Sequence, residues 1–511
     1  MTDTLDDTAQ GTPPVSTLLE EGRPVEGHRP FPRAVVDSAV WSVAVDRLAE
    51  GAASLLGLWG EADAVHMALL DEAKGWIGVM SLDCPDGHYR SVGRDYPPAI
   101  RLERAIRDLW GLEPKGLPDT RPWLDHGRWT DGHPLGKTMP SERVPYDFLA
   151  AEGESLHQIP VGPVHAGIIE PGHFRFTANG ETVVRLEERL GYVHKGIESL
   201  MAGADLERAA TLTGRVSGDS TVAYAFAFAR AVEAASGTEV PPRARMLRGL
   251  MVELERLANH LGDIGAICND AAFALMLAHC GVLREQVLRA CDAAFGHRMM
   301  RDCIVPGGVA CDLVPEGRAA IAAAVEAIRQ RFPKLVSLYD NTASLQDRTV
   351  GTGFTSPDLV RRFAAGGYVG RASGRAFDAR KAVAYAPYDA LAFDVPVLAR
   401  GDVDARVWIR IREVEASLSL VEQILNGLPD GAIRVDVEPG AGEGMALVEG
   451  FRGDVLVWLR LDAEGRVARC HLRDPSWFQW PLLEAAIENN IVADFPLCNK
   501  SFNCSYSGHD L

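Results

Sequence analysis

Thiols are the side chains best suited to hold a redox metal, and in this sequence they are scattered. Iron–sulfur and zinc centres are usually held by thiolates at C-x-x-C spacing, and no such pair occurs. Most of the thiols are therefore predicted to be reduced, buried and structural. Electrons would have to reach the chain through a partner protein. The nine cysteines are Cys84, Cys268, Cys280, Cys291, Cys303, Cys311, Cys470, Cys498 and Cys504.

Proton transfer needs a carboxylate or an imidazole in a shielded position, and two residues are candidates. Glu198 follows Glu187 and Glu188 in a segment whose helical spacing would place all three on one acidic helix. A buried Glu198 would have its pKa raised by desolvation, which suits a proton relay, whereas an exposed one would be an ordinary helix-surface residue. His165 follows Pro163 closely, and its local sequence favours a solvated loop.

Length, composition and charge exclude several classes of protein. A chain of 511 residues predicts two or three domains, and 47% apolar with 24% charged residues is typical of a globular protein. A net charge of −18 would repel nucleic acid. No run approaches the roughly 20 apolar residues that span a bilayer. The acidic residues 1–7 lack the features of a signal peptide, so we expect a cytoplasmic location.

The N-terminal part of the sequence predicts a small α+β domain. Residues 1–27 are rich in Thr, Pro, Gly and acidic residues, which predicts a flexible leader. Residues 64–70 and 75–82 have the composition of paired strands, and residues 98–110 form an amphipathic pattern that stops at glycine 111. The domain is predicted to cover residues 28–125, and the polar residues 126–155 are predicted to be a linker.

Residues 156–511 predict a large, mainly helical domain. Two strand-like runs, 445–449 and 454–461, flank a Gly-Phe-Arg-Gly turn and predict a hairpin packed on a helical bundle. The fold class is therefore α+β, a small α+β domain followed by a helical bundle with β-hairpin additions. Apolar residues recur at helical spacing in residues 183–202, 221–235, 245–261, 271–295, 318–339 and 407–425.

Two short segments resemble the metal-binding signatures of nickel–iron hydrogenase large subunits. Residues 215–220 (RVSGDS) resemble R-x-C-G-x-C, and residues 501–511 (SFNCSYSGHDL) resemble D-P-C-x-x-C-x-D. Neutral hydroxyls and a glycine cannot replace the thiolates that hold nickel and low-spin iron, so no metal ligands are expected. The sequence also ends at residue 511 without the extension that hydrogenase maturation removes, which agrees with that expectation. The four thiolate positions carry Ser217, Ser220, Ser505 and Gly508.

Further motifs resemble two subunits of respiratory complex I. Residues 100–112 with 116–121 resemble the E-R-E-I-x-D-x-F-G-I…G-H-P-D-x-R pattern of the 30-kDa subunit family, with Leu117 in place of His and Ala105 in place of Glu. Residues 191–198 and 253–261, with later motifs in the same order, resemble the 49-kDa subunit family and membrane-bound, energy-converting hydrogenases. A fused chain of this kind is similar to the large subunit of formate hydrogenlyase-type complexes.

The resemblance implies roles for several residues. Glu198 falls where the family places a proton-transfer carboxylate beside the active cavity, and His165 matches a histidine of the loop that faces the quinone or metal cavity. Arg452 matches the arginine of the family's E-x-P-R-G turn, with Phe451 in place of the proline, and would place a fixed positive charge over the pocket. The candidate catalytic residues are Glu198, His165 and Arg452, and the candidate cofactor-binding residues are His165, Ser217 and Ser220.

Two functions are expected from this resemblance. The first is an electron-transfer and coupling subunit of a membrane-associated oxidoreductase complex related to complex I and formate hydrogenlyase, without nickel–iron chemistry and with a quinone as the candidate substrate. The second is a non-catalytic scaffold whose active site is vestigial. In both cases this chain is expected to bind no cofactor itself, and the lack of a G-x-G-x-x-G motif argues against NAD.

The same resemblance implies partner proteins and a location. A small, complex I 20-kDa-like subunit would carry a [4Fe-4S] cluster, and a ferredoxin-like iron–sulfur subunit would feed it electrons. Antiporter-like membrane subunits would move ions and would hold the chain at the inner face of the cell membrane.

Overall fold

The N-terminal part of the chain is a five-stranded sheet covered by helices, in the strand order β1-β3-β6-β5-β4. The structure is a computed structural model that describes residues 15–137, 139–140, 145–166 and 168–511. Strands β3 and β6 run parallel, and the other neighbours are antiparallel. The elements are α1 (Val15–Glu20), β1 (Arg23–Pro24), β2 (His28–Arg29), β3 (Arg33–Val36), α2 (Ser38–Ala49), β4 (Ser54–Glu61), β5 (Ala64–Asp71), β6 (Trp76–Asp83), β7 (His88–Arg90), α3 (Ile100–Trp110) and β8 (Glu113–Lys115).

The predicted strands and helix of this part are confirmed, but the predicted leader is partly wrong. Residues 64–70 and 75–82 lie in β5 and β6, and residues 100–110 form α3, which ends at Gly111 in the left-handed conformation. Residues 1–14 lie outside the described part. Residues 15–20 are helical rather than flexible because Val15, Leu18 and Leu19 form an apolar stripe that is buried against the sheet.

The described residues between 126 and 155 contain little regular structure and are bound to both neighbouring parts of the chain. They include the two-residue strands β9 (Asp131–Gly132) and β10 (Met139–Pro140). Arg121 donates to the carbonyl of Asp147 at 2.8 Å, and the amide of Leu149 donates to Glu187 at 2.8 Å. The segment predicted as a linker therefore packs along the junction instead of bridging two separate bodies.

The remainder of the chain is built on long packed helices with small sheets at their ends. Its elements are β11 (Leu156–Val161), β12 (His173–Asn179), β13 (Thr182–Arg189), α4 (Ile197–Met201), α5 (Leu206–Thr213), α6 (Thr221–Ser236), α7 (Pro242–Asp270), α8 (Ala274–Phe295), β14 (Ile304–Val305), β15 (Gly308–Val309), α9 (Pro315–Asn341), α10 (Ala343–Thr349), α11 (Pro357–Arg362), α12 (Gly367–Ala372), α13 (Ala379–Ala382), α14 (Val403–Gly427), β16 (Gly442–Glu449), β17 (Asp454–Leu461), β18 (Val467–Arg473), α15 (Ser476–Ala486), α16 (Phe495–Phe502) and α17 (Tyr506–His509). Single 3-10 turns occur at Pro97–Ala99, Tyr388–Ala390 and Val492–Asp494.

Five of the six predicted helical segments are confirmed, as α6, α7, α8, α9 and α14. The sixth, residues 183–202, is wrong except at Ile197–Met201, which form α4. Val183, Leu186 and Leu190 have helical spacing, yet residues 182–189 form β13, which pairs with β12 in an antiparallel sheet. Helix α15 packs on this strand, so tertiary pairing overrides the local period. Glu187 and Glu188 therefore lie on a strand, and Glu198 lies on the short helix α4.

The predicted hairpin is confirmed and belongs to a larger sheet. Strands β16 and β17 pair in register from Gly442 opposite Leu461 to Glu449 opposite Asp454. Strand β18 extends the sheet on one edge, and the N-terminal strand β2 joins the other edge in parallel to β16. The N-terminal part of the chain is thereby tied to the sheet that covers the bundle.

The two predicted domains share hydrophobic cores. One buried cluster combines Leu102 and Trp123 from the N-terminal part with Phe174, Leu186 and Trp480 from the rest of the chain. A second cluster joins residues of β4, β5 and β6 to the long helices. Within the described residues, no helix is long and apolar enough to cross a bilayer.

A network of buried charges holds the centre of the bundle. Arg371, whose side chain is fully buried, contacts Glu413 on α14 at 2.7 Å and Glu449 on β16 at 2.8 Å. Glu413 also accepts a hydrogen bond from His260 on α7 at 2.7 Å. Charges removed from water must be paired, so this network fixes how α7, α12, α14 and β16 pack together.

Removing the central cation of this network is expected to be strongly destabilising. An Arg371→Met change leaves Glu413 and Glu449 buried without their main partner, so we expect a loss of about 3–5 kcal/mol in the free energy of unfolding. Urea unfolding of the full chain, followed by circular dichroism, measures this loss. Arg289→Met, at a mostly exposed ion pair on α8, should leave the midpoint unchanged. Equal midpoints for the two variants would contradict the proposed role of the network.

Candidate functional site

The two segments that resemble thiolate motifs meet in space through their serine side chains. Ser217 lies in the loop between α5 and α6, and Ser505 is the N-cap of α17 near the end of the chain. Their hydroxyl oxygens are 2.9 Å apart, although 288 residues separate them in sequence. Ser217, Ser220 and Ser505 are each about 4% exposed. The motif positions therefore form one buried cluster, which we call the serine cluster, made of Ser217, Ser220, Ser505 and Gly508.

Arg452 and Asp219 hold this cluster together. Arg452, in the turn between β16 and β17, contacts the Asp219 carboxylate at 2.5 Å and donates to the Ser220 hydroxyl at 3.1 Å. Asp219 in turn accepts a hydrogen bond from Ser217 at 2.8 Å. Burial alone would raise the pKa of Asp219, but Arg452 holds it below its ordinary value. A permanent ion pair between the buried Arg452 and the half-buried Asp219 therefore lies against the hydroxyls.

The turn that carries Arg452 forms although Phe451 stands where the family motif has proline. Gly450 donates to the carbonyl of Gly453 at 2.9 Å, and Gly453 donates back to the carbonyl of Gly450 at 3.3 Å. The Arg452 guanidinium lies 4.5 Å from the centre of the Phe451 ring, which supports it by a cation–π contact. The Phe451 ring thus stabilises the Arg452 side chain by a contact that a proline at this position would not make.

Asp474 occupies the space beside the fourth position. A Cβ atom built on Gly508 would lie 2.4 Å from a carboxylate oxygen of Asp474, so a cysteine side chain would have no room there. The same oxygen accepts a hydrogen bond from Tyr224 at 2.6 Å, which fixes the carboxylate in place. The residues present at these positions therefore do not fit a four-thiolate centre, in either donor type or available space.

Two buried carboxylates of the site were not identified from sequence. Asp474 directly follows β18. Its position before Pro475 and α15 is the one local feature that separates it from other aspartates in the sequence. Glu255 accepts hydrogen bonds from the amides of Val222 and Ala223 at the start of α6, and burial raises its pKa to about 8. Glu255 lies within the residues 253–261 that carried the family resemblance, but nothing in that segment separated it from its neighbours.

Glu198 is a buried ion-pair partner. Its carboxylate contacts Arg469 and His471 of β18, each at 2.8 Å, and accepts from the Leu472 amide at 3.1 Å. Burial alone would raise the pKa of Glu198, but Arg469 and His471 lower it to about 2. The expected raised pKa is therefore wrong, because a strand more than 270 residues away supplies two partners that the sequence did not reveal.

An apolar cavity of about 240 Å³ adjoins Glu198 at the junction of the two parts of the chain. Leu109, Trp129 and Leu511 contribute to its wall. Lys195, also in the wall, is tied to the serine cluster's loop because it donates to the carbonyls of Arg215 and Val216 at 3.0 and 2.7 Å. Through Lys195, the cavity wall that contains Glu198 is therefore connected to the loop that carries Ser217.

His165 lies on an exposed loop and makes an edge-to-face contact with Phe174 at 5.3 Å between ring centres. Val164 and Ile168 on the same loop are 82% and 99% exposed. The base of the loop touches the C-terminal segment, since Glu170 accepts a hydrogen bond from the amide of Ser507 at 3.0 Å. The loop therefore presents an apolar surface next to the segment that contains Ser505.

The structure thus brings together only some of the predicted site residues. Ser217, Ser220 and Arg452 belong to one hydrogen-bonded cluster, whereas no hydrogen bond within the described ranges links Glu198 or His165 to it. In the same ranges, no group of three or more His, Cys, Asp or Glu side chains is arranged to hold a metal ion. The nine cysteines are free thiols, and all except the half-buried Cys311 are buried.

Comparison with protein families divides the chain as the motifs did. Residues 263–439 and 432–510 match the respiratory-chain NADH dehydrogenase 49-kDa subunit, and residues 195–262 match nickel-dependent hydrogenases. Residues 43–144 match the 30-kDa subunit of the respiratory-chain NADH dehydrogenase, a match that runs past the predicted boundary at residue 125.

Individual relatives agree with these matches. Formate hydrogenlyase subunit 5 of Escherichia coli is 32% identical over 88% of this chain and 82% of its own length. Hydrogenase-4 component G of the same organism is 31% identical over 88% and 80%. A chain of the archaeal membrane-bound sulfane sulfur reductase, a respiratory membrane complex, superposes with a TM-score of 0.67 at 25% identity, covering 71% of this chain and all of that chain.

Proteins of NADH-quinone oxidoreductases are similar as well. An NADH-quinone oxidoreductase subunit of Syntrophobacter fumaroxidans is 30% identical over 69% of this chain and 95% of its own length. The relatives thus belong to oxidoreductase complexes on both the hydrogenase and the complex I side. The chain belongs to the family of fused subunits, including formate hydrogenlyase subunit 5 and hydrogenase-4 component G, that join a complex I 30-kDa-like domain to a 49-kDa-like, nickel–iron hydrogenase large-subunit-like domain.

Proposed function

We propose that the chain is an electron-transfer and coupling subunit of a membrane-associated oxidoreductase complex and works there without a nickel–iron centre. The observation that carries this proposal is the serine cluster. Hydroxyls that bond to each other and to Asp219 replace thiolates, and the Asp474 carboxylate fills the space beside Gly508. Arg452 would repel a metal cation from the same place, since its guanidinium lies against Ser220.

Redox cofactors are then supplied by partner subunits. The cysteines of this chain are buried and dispersed, and burial raises the pKa of Cys504, the thiol nearest the cluster in sequence, well above its usual range. We assign the [4Fe-4S] cluster to a small, 20-kDa-like subunit fed by a ferredoxin-like subunit, with antiporter-like subunits in the membrane. The relatives' membership of hydrogenase, NADH-quinone oxidoreductase and respiratory membrane complexes supports this assignment.

The loop that carries Val164, His165 and Ile168 is the surface that we assign to the small iron–sulfur subunit. Val164 and Ile168 expose apolar side chains that a monomer would normally bury, and His165 stands between them. A partner that covers this loop would enclose His165 next to the C-terminal segment. A quinone bound between the two subunits would then meet the imidazole as its hydrogen-bond donor.

A non-catalytic scaffold is the second candidate function, and one observation favours it. The position that a metal centre would occupy is filled by the ion pair of Arg452 and Asp219 with the bonded serines. A filled position leaves no room for substrate at the cluster itself. The scaffold proposal and the quinone proposal therefore differ in whether the loop with His165 affects turnover.

Glu198 is assigned a positioning role in both cases. Its carboxylate is saturated by Arg469, His471 and the Leu472 amide, so it anchors α4 to β18 beside the apolar cavity. A carboxylate that stays ionised at neutral pH is poorly suited to the proton relay that the sequence suggested.

Nickel content tests the first part of the proposal. Chain produced with a complete hydrogenase maturation system is expected to contain no stoichiometric nickel, because none of the four positions offers a thiolate. Elemental analysis of the purified complex measures this directly. About one nickel per chain would overturn the proposal.

Replacing Glu198 tests whether it is an anchor. Glu198→Gln should lower the free energy of unfolding by roughly 3 kcal/mol at pH 7, as expected for a carboxyl whose pKa falls from 4.5 to about 2 on folding. The stabilisation is present above the unfolded pKa, so the difference from wild type should shrink as the pH falls from 5 towards 3. Thermal unfolding across this range provides the measurement.

Glu207→Gln, an exposed carboxylate on the adjacent α5, is the matched control and should behave as wild type. Unchanged stability of Glu198→Gln combined with a severe loss of turnover would instead support a proton relay at Glu198.

His165→Ala distinguishes the working site from the scaffold. In the assembled complex we expect the apparent KM for quinone to rise several-fold while kcat changes little, because the imidazole would bind the quinone equally in the ground state and in the transition state. Steady-state assays with varied quinone concentration measure both constants. His157→Ala, at an exposed histidine of β11, the strand next to β12 in the sheet, should leave both constants unchanged. Identical kinetics for both variants would favour the scaffold.

A further inference from the structure

Two carboxylates share one guanidinium at the junction between the N-terminal part and the bundle. Arg101 of α3 contacts Glu188 of β13 at 3.1 Å and Glu484 of α15 at 2.7 Å. Both carboxylates contact this one guanidinium, and the backbone amide of Glu188 also donates to Glu484 at 2.8 Å. Three elements from distant parts of the sequence thus meet at two negative groups and one positive group.

Glu188 is the more deeply buried member of the pair. Its side chain is 0% exposed, and its Oε1 oxygen has no hydrogen-bond partner among the described residues. Glu484 is 24% exposed, and one of its oxygens is satisfied by both Arg101 and the Glu188 amide. An ionised carboxylate with a buried, unpartnered oxygen is costly, so the charge is better placed on Glu484.

The surrounding charges do not neutralise the pair. Arg104, on the same helix as Arg101, is bound to Asp119 at 2.9 Å. Glu187, next to Glu188 on β13, is bound to Arg121 at 2.6 Å and adds negative potential. The other titratable groups nearby include Cys498, Cys504, Tyr506, Tyr146 and Glu488, which supply no cation. Arg185 of β13 also lines the groove, but its guanidinium donates to the carbonyls of Leu149 and Ala150 at 3.1 and 3.0 Å.

We propose that Glu188 and Glu484 hold one proton between them at neutral pH and form a proton-exchange site between solvent and the serine cluster. The supply of protons to the cluster rests on the redox function proposed above, whereas the shared proton does not. Burial, followed by the charge of Glu484, raises the pKa of Glu188 well above its ordinary value, in agreement with a neutral Glu188. The proton leaves Glu188 as it ionises and returns from water, so no other reactant is needed.

The pair lies between an open groove and the segment that carries Ser505. A groove of about 720 Å³ at the domain junction has Arg101, Glu188, Glu484 and Glu488 in its wall, which gives solvent access on one side. On the other side, Trp480, one helical turn before Glu484, donates to the carbonyl of Ser505 at 3.2 Å.

The charge of Glu188 also affects the pKa of the two residues that flank Ser505. Burial first, and then the charge of Glu188 among its neighbours, raises the pKa of both Cys504 and Tyr506. Glu188 thus lies close enough for its charge to affect the end of the chain that forms the serine cluster.

The pH dependence of stability tests the shared proton without any assay of turnover. The folded chain would keep the proton to a higher pH than the unfolded chain, whose glutamates have a pKa of about 4.3. The stability that the proton contributes to the folded chain is therefore lost progressively as the pH rises from that value through the raised pKa of the pair. Glu188→Gln cannot ionise and should escape this loss. The difference in unfolding temperature between the variant and wild type should therefore shift by about 3 °C or more in favour of the variant between pH 5 and pH 8.

Glu484→Gln provides an independent variant in case Glu188→Gln folds poorly. Without its negative neighbour, Glu188 should ionise beside Arg101, and the same relative gain with pH is expected. Glu181→Gln, at an exposed glutamate in the turn before β13, is the control and should follow wild type at every pH. Wild-type pH dependence in both pair variants would overturn the proposal, because the pair would then be fully ionised.

Turnover of the assembled complex tests the exchange of protons with the site. Both pair variants should lower turnover at least tenfold and remove the ionisation that wild type shows on its alkaline limb, while Glu181→Gln keeps the wild-type profile. If the stability experiment shows the shared proton but both variants keep wild-type turnover, the exchange role is overturned and the pair is only structural. Absence of turnover in wild type itself would count against the proposed function instead, and the stability result would still stand.

Discussion

The ion pair between the buried Arg452 and the half-buried Asp219 is the contact on which the candidate site depends. It joins the loop after α5 to the turn between β16 and β17, and Arg452 also donates to the carbonyl of Asn503 at 2.5 Å, which brings in the C-terminal segment. A metal centre cross-links such segments through its ligands. Here an ion pair and hydroxyl hydrogen bonds make the same connection, and a buried pair keeps its geometry because breaking it would strand a charge.

The same constraint organises the rest of the interior. Arginines on several helices are fully buried, and each is matched to carboxylates or carbonyls from distant elements, as Arg371 is to Glu413 and Glu449. Charge matching of this kind specifies one packing arrangement more sharply than apolar contacts do, because a displaced partner leaves an unpaired charge. Where two carboxylates meet only one cation, as at Glu188 and Glu484, the balance is restored most cheaply by a proton.

These features together describe a hydrogenase-like scaffold whose four motif positions carry three serines and a glycine. The family membership is shared with hydrogenases and with complex I subunits, whereas the chemistry at the motif positions is that of hydroxyls and fixed charges. The apolar loop around His165 and the groove at Glu188 are the parts left open to partners and to solvent. In the function that we propose, a partner covers the loop and protons reach the buried segment through the groove.

The sequence by itself determined the family, the order of the two domains, five of the long helices and the hairpin, because these depend on local periodicity and on motifs that keep their order. It also placed Ser217, Ser220 and Arg452 in one site. The strand at residues 182–189, the low pKa of Glu198 and the carboxylate of Asp474 beside Gly508 were decided only by the tertiary structure. Each depends on a partner that lies far away in the sequence, and burial makes such a partner's charge or hydrogen bond decisive without leaving any local signal.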